Sequence, residues 1–232
     1  YDILSTSCGC PFNCSFCCSP ALWGRRVRER PADHIIRELE LMRSRHGLRQ
    51  VSFKDETFTL KASRVETVCR AIIDAKLNLW WTCDTRVDCL DEERLYWMSK
   101  AGCSYVSFGV ESGSQRMLDK IDKRISLEKV KKATELARQF GLHVRYYLIA
   151  GLPDETHTDL KESLKVVESN RPHFIFLSDL TVSPGTRVFE DYAQRNSVDS
   201  SIWFETGQPT ISWERRHAWR ETSTGRKLLR LT

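Results

Sequence analysis

Short apolar runs alternate with amphipathic stretches along most of the chain. Six of these runs have the length and composition typical of β-strands: Asp2–Thr6, Gln50–Lys54, Leu79–Asp84, Tyr105–Val110, His143–Ala150 and Phe174–Val182. Between them, apolar residues recur at helical spacing, which predicts helices over Pro31–His46, Lys61–Lys76, Asp91–Lys100, Ser126–Phe140 and Glu155–Glu168. This alternation predicts βαβ units and a parallel sheet covered by helices.

The predicted strands carry different residues on their two faces. In the third strand, Trp81 and Cys83 share one parity, whereas the other parity is polar and comprises Thr82, Asp84 and Arg86. A strand covered by helices needs an apolar face only on the helix side, so the polar parity indicates a polar lumen. We therefore predict an α/β fold, a partial (β/α)6 TIM-like barrel with parallel strands and an open side. In such a barrel the chemistry takes place at the carboxyl ends of the strands.

Composition and charge limit which partners and which cellular location are expected for the chain. The 232 residues carry 36 Lys plus Arg and 31 Asp plus Glu, and a net charge of +5 is weak evidence for nucleic acid as a partner. We expect no membrane partner, because no apolar run approaches the ~18 residues of a membrane span. With no visible signal peptide, we expect a cytoplasmic protein.

The chain is expected to divide into a core and an extension. The periodic part covers residues 1–195, whereas residues 196–232 lose clean periodicity and contain three tryptophans, Trp203, Trp213 and Trp219. Because Tyr1 stands directly before a predicted strand, we expect the chain to be a fragment of something longer. Residues 1–195 are the predicted core barrel and residues 196–232 a C-terminal extension of uncertain structure.

Five of the nine cysteines lie between Cys8 and Cys18, directly after the first predicted strand. Only one register gives the spacing C-x3-C-x2-C, namely Cys10, Cys14 and Cys17. Three thiolates on a short loop can hold three irons of a [4Fe–4S] cluster and leave the fourth iron without a protein ligand. The alternative is a zinc site with a fourth ligand from elsewhere, although no second C-x2-C pair follows. Cys8 and Cys18 are spare, and we expect them to be inert.

The cysteine loop resembles that of the radical S-adenosylmethionine (radical SAM) superfamily, and further resemblance extends over residues 1–195. Phe16 matches the aromatic residue that usually precedes the third cysteine. Four further segments lie at the ends of the second, fourth, fifth and sixth predicted strands, in this order: Asp55–Phe58, Gly109–Ser112, Gly151–Thr156 and Ser183–Thr186. This ordered set resembles the branch of cobalamin-binding radical SAM enzymes and, more distantly, the methylthiotransferases.

The resemblance implies roles for individual side chains around SAM. Asp55 or Glu56 would accept from the amino group, and Arg86 would pair with the carboxylate, which a guanidinium can grip with two bonds. Glu111 would accept from the ribose hydroxyls or hold Arg86. The adenine would be lined by Gly151, Leu152, Pro153, Val182 and Ser183.

Several of these residues also have a purely structural interpretation. Asp55 or Glu56 could cap the following helix, and Glu111 could form a structural ion pair with Arg86. Pro153 could belong to a turn and Phe16 could be packing. The neighbouring tyrosines Tyr146 and Tyr147 are expected to be core residues.

The resemblance implies an enzyme in which SAM is cleaved reductively to a 5′-deoxyadenosyl radical that abstracts hydrogen from a substrate. Methyl transfer or rearrangement with cobalamin, bound by an N-terminal domain, is the expected reaction. The expected partners are a small-molecule or peptide substrate and an electron donor such as flavodoxin or ferredoxin. The alternatives are a methylthiotransferase acting on tRNA or protein, and a non-catalytic Fe–S or zinc module.

Overall fold

The computed structural model describes residues 2–197, 199, 201, 220 and 222–231. Its strands are, in chain order, β1 (Asp2–Leu4), β2 (Ser7–Cys8), β3 (Arg28–Glu29), β4 (Gln50–Phe53), β5 (Trp80–Thr85), β6 (Cys103–Glu111), β7 (His143–Ala150) and β8 (Phe174–Asp179). Six of them form one parallel sheet in the order β1-β4-β5-β6-β7-β8, curled into a half-barrel. Within the described residues the edge strands β1 and β8 do not pair, which leaves one side open. The predicted partial barrel is confirmed, and all six predicted strands are present.

The helices are α1 (Ser19–Trp23), α2 (Ala32–His46), α3 (Ala62–Asp74), α4 (Glu92–Lys100), α5 (Gln115–Lys120), α6 (Leu127–Gln139), α7 (His157–Asn170), α8 (Arg187–Asn196) and α9 (Ser223–Leu229). The five predicted helices correspond to α2, α3, α4, α6 and α7. The sequence pattern missed α1, α5, α8 and α9, of which α1, α5 and α9 have at most seven residues. Two or fewer turns give hydrophobic periodicity too little length to be recognised.

Hydrogen bonds at the helix ends explain where the predicted helices begin. Ser126 accepts from the backbone N–H of Lys129 at 3.3 Å and starts α6, one residue inside the predicted range. Thr156 and Asp159 form a reciprocal capping box, so α7 begins at His157 and leaves Glu155 outside the helix. The carboxylate of Glu155 instead accepts from the backbone N–H of Gly151 at 2.7 Å. Local side-chain bonds, rather than periodicity, set these boundaries.

The two faces of the sheet differ as the strand pattern predicts. On the helix side, the rings of Phe53, Phe58 and Trp81 pack together with centroids 5.1–5.4 Å apart. On the concave side, Lys54 and Asp84 form an ion pair of 3.0 Å. The lumen of the half-barrel is therefore polar where it meets the carboxyl ends of the strands.

The carboxyl-terminal region is described only in part. Helix α9 packs on α7, and Thr224 Oγ1 lies 3.0 Å from His157 Nε2. The three tryptophans of the predicted extension fall outside the described residues. Division of the chain into residues 1–195 and 196–232 therefore stays a prediction. None of the described helices combines the length and the apolar character needed to cross a membrane.

Candidate functional site

The cysteine loop is held at the carboxyl end of the sheet by backbone contacts at both of its ends. Strand β2 leads into the loop and pairs with β3 in antiparallel fashion. Gly9 has a φ of 102°, and a Cβ there would lie 2.4 Å from the carbonyl oxygen of Arg26, so only glycine fits. Farther on, the N–H of Ser15 donates to the carbonyl of Ile121 at 2.9 Å, and its carbonyl accepts from Val188 at 3.1 Å. The loop therefore has a defined position against the barrel.

The three cysteines in the C-x3-C-x2-C spacing line one cavity of about 360 Å³. Cys10 is buried, and Cys14 and Cys17 are half-buried. All nine cysteines lie within the described residues and are free thiols, but the cavity is lined by no fourth one. Cys8 and Cys18 thus lie outside the cavity, consistent with their being spare.

Burial raises the pKa of the Cys10 and Cys14 thiols above the ordinary value for cysteine. Around Cys14 the positive charges of Lys123 and Arg86 lower the pKa, but the effect of burial is larger. Iron binds the thiolate, so the metal must displace a proton from each buried thiol. Occupation of this site is therefore expected to weaken as the pH falls.

The arrangement of the thiols bears on the zinc alternative. A zinc ion needs its sulfur ligands about 2.3 Å from one centre. In the described part of the chain, no three His, Cys, Asp or Glu side chains are close enough to hold a single metal ion. The three thiols share one cavity, and no fourth cysteine lines it. This donor set fits a cluster of several irons, bound through Cys10, Cys14 and Cys17, better than a mononuclear zinc site.

Asp55 and Glu56 both line the cavity, but their carboxylates are differently engaged. Asp55 is buried and accepts three hydrogen bonds of 2.6 Å, from the N–H and hydroxyl of Thr6 and from the hydroxyl of Ser7. It fastens the residues after β1 to the start of the cysteine loop. The carboxylate of Glu56 has no such partner among the described residues. Neither residue caps α3, whose N-cap is Lys61, so the capping alternative is wrong.

Arg86 is buried at the back of the cavity with its guanidinium fully engaged. It forks onto Asp88 with two bonds of 2.9 Å and donates to the carbonyl of Lys123 at 2.8 Å. The guanidinium carbon lies 3.8 Å from the centre of the Phe12 ring, and Nη1 lies 3.7 Å from Cys14 Sγ. The sequence pattern did not indicate Asp88 as the partner of Arg86. The role of Arg86 toward a SAM carboxylate stays a prediction.

Glu111 forms a buried ion pair with Lys123 at 2.8 Å, and the alternative of a Glu111–Arg86 pair is wrong. Glu111 has a φ of 67°, a left-handed conformation that costs a non-glycine residue on the order of 1 kcal/mol. A Cβ on Gly109 would lie 2.5 Å from the Glu111 carboxylate and 2.9 Å from the Lys123 ammonium. Glycine at position 109 therefore makes room for the pair. Sequence reasoning missed Lys123 because it lies in a charged run typical of an exposed turn.

The remaining predicted SAM contacts divide into two groups. Phe16 lines the cavity, with the ammonium of Lys123 5.9 Å from its ring centre. The residues predicted to line the adenine do not line this cavity. They are Gly151, Leu152, Pro153, Val182 and Ser183. In that set, Leu152 and Val182 are fully buried in the core. Their role at the adenine stays a prediction.

Two further lumen side chains line the cavity, and the sequence analysis gave neither of them a role at the site. Lys54 and Asp84 both line the cavity beside the cysteines, and Tyr147 donates from its hydroxyl to Asp84 at 3.3 Å. Tyr146, by contrast, is buried in the core and bonded to Thr134. The expectation that both tyrosines are core residues is confirmed for Tyr146 and wrong for Tyr147. The strict alternation of β7 separates the two residues, and this signal was available in the sequence.

The fold and the site together define a class of protein, namely a half-barrel that presents three cysteines at the carboxyl ends of its parallel strands. Residues 4–167 match the family model described as the radical SAM superfamily, and the chain belongs to that superfamily. Members of the superfamily use a [4Fe–4S] cluster and SAM.

Similar proteins include an uncharacterized methyltransferase of Pyrococcus horikoshii, 34% identical over 85% of this chain and 43% of the relative. Anaerobic magnesium-protoporphyrin IX monomethyl ester cyclase of Rubrivivax gelatinosus is 31% identical over 82% of this chain and 34% of the relative. The chain thus spans less than half the length of these relatives.

Among solved structures, the radical SAM methyltransferase TsrM from Kitasatospora setae, with cobalamin and a [4Fe–4S] cluster bound, has a similar fold. The TM-score is 0.77 at 19% identity, over 86% of this chain and 38% of that one. A second structure of TsrM holds its tryptophan substrate and a SAM analogue, with a TM-score of 0.76 at 20% identity over 84% of this chain and 38% of that one.

Proposed function

We propose that this chain is the core of a radical SAM enzyme whose [4Fe–4S] cluster is bound by Cys10, Cys14 and Cys17. The observation that carries the proposal is that these three thiols, without a fourth cysteine, line one cavity at the carboxyl ends of the strands. When bound there, the cluster and SAM supply a 5′-deoxyadenosyl radical that removes hydrogen from a substrate. The protein residues bind and orient the cofactors and exclude water.

The described side chains support different contacts to different parts of SAM. Glu56 would accept from the SAM amino group, since its carboxylate has no partner among the described residues, whereas Asp55 is committed to Thr6 and Ser7. Glu111 is held in place by Lys123 and faces the same cavity, where it would accept from ribose hydroxyls. Phe16 contributes an apolar wall. Arg86 supports the ligand loop through its contacts with Cys14 and the Phe12 ring.

We further propose that the reaction is a methyl transfer or a rearrangement assisted by cobalamin, bound by a domain outside this chain. Support comes from the named methyltransferase and cyclase relatives and from the fold shared with TsrM. The substrate is proposed to be a small molecule or a peptide, and the electron donor a flavodoxin or a ferredoxin. Absorbance spectra of the full-length protein, purified without oxygen, test whether cobalamin is bound.

The cluster assignment is tested by anaerobic reconstitution of the full-length protein, followed by iron analysis, Mössbauer spectroscopy and assay of 5′-deoxyadenosine. We expect about four irons per chain and formation of 5′-deoxyadenosine with dithionite and SAM. Cys14→Ala should lose both, whereas the matched control Cys18→Ala should keep both. A cluster that survives Cys14→Ala, or one lost equally in Cys18→Ala, contradicts the proposal.

A further inference from the structure

The concave face of the half-barrel carries a group of aromatic side chains, of which only Tyr147 lines the proposed cofactor cavity. We call this group the aromatic shelf. It comprises Tyr105, Tyr147, Phe174, Phe176 and the guanidinium of Arg145. Strand register brings its members side by side, because Arg145 is level with Phe174 and Tyr147 with Phe176. Alternation along β7 places Arg145 and Tyr147 on the same face, and Tyr147 lines the cysteine cavity. The shelf therefore faces the lumen.

Two rings of the shelf are unusually open to solvent for phenylalanine. Phe174 is 47% exposed and Phe176 is 56% exposed. The ring of Phe176 meets that of Tyr147 edge-on with centroids 5.6 Å apart, and the Phe174 and Tyr105 centroids are 5.9 Å apart. Adjacent exposed aromatic rings form a patch whose burial by an apolar ligand is favourable. Rings in this arrangement offer faces and edges to another flat ring.

Arg145 gives the shelf a positive charge without a carboxylate partner in the described part of the chain. Its guanidinium carbon lies 4.7 Å from the Tyr105 ring centre and 5.7 Å from that of Phe174. Arg70 on the outer helix α3 differs from Arg145 in this respect. Its guanidinium carbon also lies over a ring, 4.1 Å from the Trp97 ring centre, but the guanidinium forms an ion pair of 2.7 Å with Glu66. The guanidinium of Arg145 hydrogen-bonds to the hydroxyls of Tyr105 and Tyr147, which are neutral, so its charge remains available to an incoming anion. A guanidinium binds a carboxylate with two parallel bonds.

The shelf is continuous with the cysteine cavity through Tyr147. This residue lines the cavity and donates to Asp84, which lines it as well. Arg145 precedes Tyr147 by two positions in an extended strand, which is a distance of about 7 Å. A flat molecule whose anionic group lies on Arg145 thus extends toward the three thiols.

We propose that the aromatic shelf binds the substrate, and that the substrate is a planar conjugated molecule carrying a carboxylate. Its assignment as the substrate site rests on the proposed function. The binding itself depends only on the shelf residues: the rings of Phe176 and Tyr147 contact the plane of the molecule, and Arg145 pairs with its carboxylate.

The test is equilibrium dialysis of 2-naphthoate against the full-length holoprotein with its reconstituted cluster. Two comparison probes distinguish the contribution of a flat shape to binding from that of a negative charge. The first, 2-naphthamide, is flat but neutral, and the second, cyclohexanecarboxylate, is charged but not flat. We expect saturable binding of 2-naphthoate and at least tenfold weaker binding of both comparison probes. Arg145→Gln should weaken 2-naphthoate binding at least tenfold and Phe176→Ala several-fold, whereas Arg70→Gln, which removes the outer stacked arginine, should leave it unchanged.

The inference is overturned if 2-naphthoate does not saturate, if cyclohexanecarboxylate binds equally well, or if Arg145→Gln binds like the parent protein. Circular dichroism and cluster absorbance verify that each variant is folded and loaded. Assay of 5′-deoxyadenosine on the same preparations separates the two proposals. Formation of 5′-deoxyadenosine without 2-naphthoate binding rejects the shelf alone, whereas 2-naphthoate binding without 5′-deoxyadenosine rejects the proposed function alone.

Discussion

Nη1 of Arg86 lies 3.7 Å from the Sγ of Cys14, the middle cysteine of the C-x3-C-x2-C loop. The guanidinium is held there by Asp88 and by the Phe12 ring, so its direction toward the sulfur is set by the protein. When Cys14 is a thiolate ligand, this N–H donates to a sulfur whose negative charge increases as the cluster is reduced. Hydrogen bonds to ligand sulfurs are among the features that set the potential of an iron–sulfur cluster.

Arg86→Gln is therefore expected to lower the reduction potential of the cluster. A hydrogen bond to a charged group contributes about 1.5–3 kcal/mol, which corresponds to a shift of at most about 65–130 mV for a one-electron couple. Redox titration followed by electron paramagnetic resonance measures the potential directly. Arg70→Gln, on the outer surface, is the control, and an unchanged potential in Arg86→Gln would show that the contact has no electronic effect.

Asp55→Asn and Glu56→Gln each remove the charge of one carboxylate, and we expect the two variants to differ in stability, iron content and SAM affinity. Asp55→Asn weakens three short hydrogen bonds to Thr6 and Ser7, so we expect unfolding free energy to fall by about 2 kcal/mol and iron content to drop. Glu56→Gln removes a carboxylate that has no partner among the described residues, so stability should stay unchanged while SAM affinity falls. Urea unfolding, iron analysis and calorimetric titration with SAM measure the three quantities. Equal SAM affinities in the parent and Glu56→Gln would exclude Glu56 as the contact to the amino group.

Gly109→Ala is expected to disrupt the Glu111–Lys123 pair, because the added methyl group would lie 2.5 Å from the carboxylate and 2.9 Å from the ammonium. Overpacking of this kind costs about 1–3 kcal/mol, and SAM binding should weaken as Glu111 moves. Gly141→Ala is the matched control: its φ is 78°, so the backbone becomes strained, but no atom lies within 4 Å of the new methyl group. If SAM affinity falls equally in both variants, the effect is general destabilisation rather than displacement of Glu111.

Asp159 is expected to stabilise the fold in a way that depends on pH. Burial alone would raise its pKa, but hydrogen bonds from Arg116, Thr156 and Ser114 outweigh burial and hold the pKa well below the usual range. A carboxyl whose pKa is lowered by folding contributes stability above its unfolded pKa of about 3.9, and this contribution is lost as the pH falls toward the folded value.

Asp159→Asn should accordingly cost about 2 kcal/mol at pH 7, and the difference from the parent protein should shrink below about pH 4. Urea unfolding at a series of pH values measures this dependence. Glu128→Gln, which breaks only the exposed pair with Lys132, should produce no measurable change. A cost that is the same at pH 7 and pH 3 would mean that Asp159 acts through packing rather than charge.

The order of strands and helices could be predicted because periodicity is a local property of the sequence. The alternation along β5 separated Trp81 and Cys83 from Thr82 and Asp84, and this pattern predicted both the sheet and its polar lumen. The spacing of Cys10, Cys14 and Cys17 was equally local, since all three lie on one loop. Short helices such as α5 were missed because so few residues show no clear period.

The partners of the charged side chains were decided by the tertiary structure. Arg86 pairs with Asp88 and Glu111 with Lys123, although both arginine–glutamate and lysine–glutamate pairs are chemically reasonable. The sequence alone shows that charges are present, but only the fold decides which of them meet in a buried space. Asp55 and Glu56 illustrate the same limit: they are adjacent in sequence, yet Asp55 is hydrogen-bonded to Thr6 and Ser7, whereas the carboxylate of Glu56 has no such partner among the described residues. Their difference arises from the direction of each side chain at the end of a strand, which depends on long-range packing.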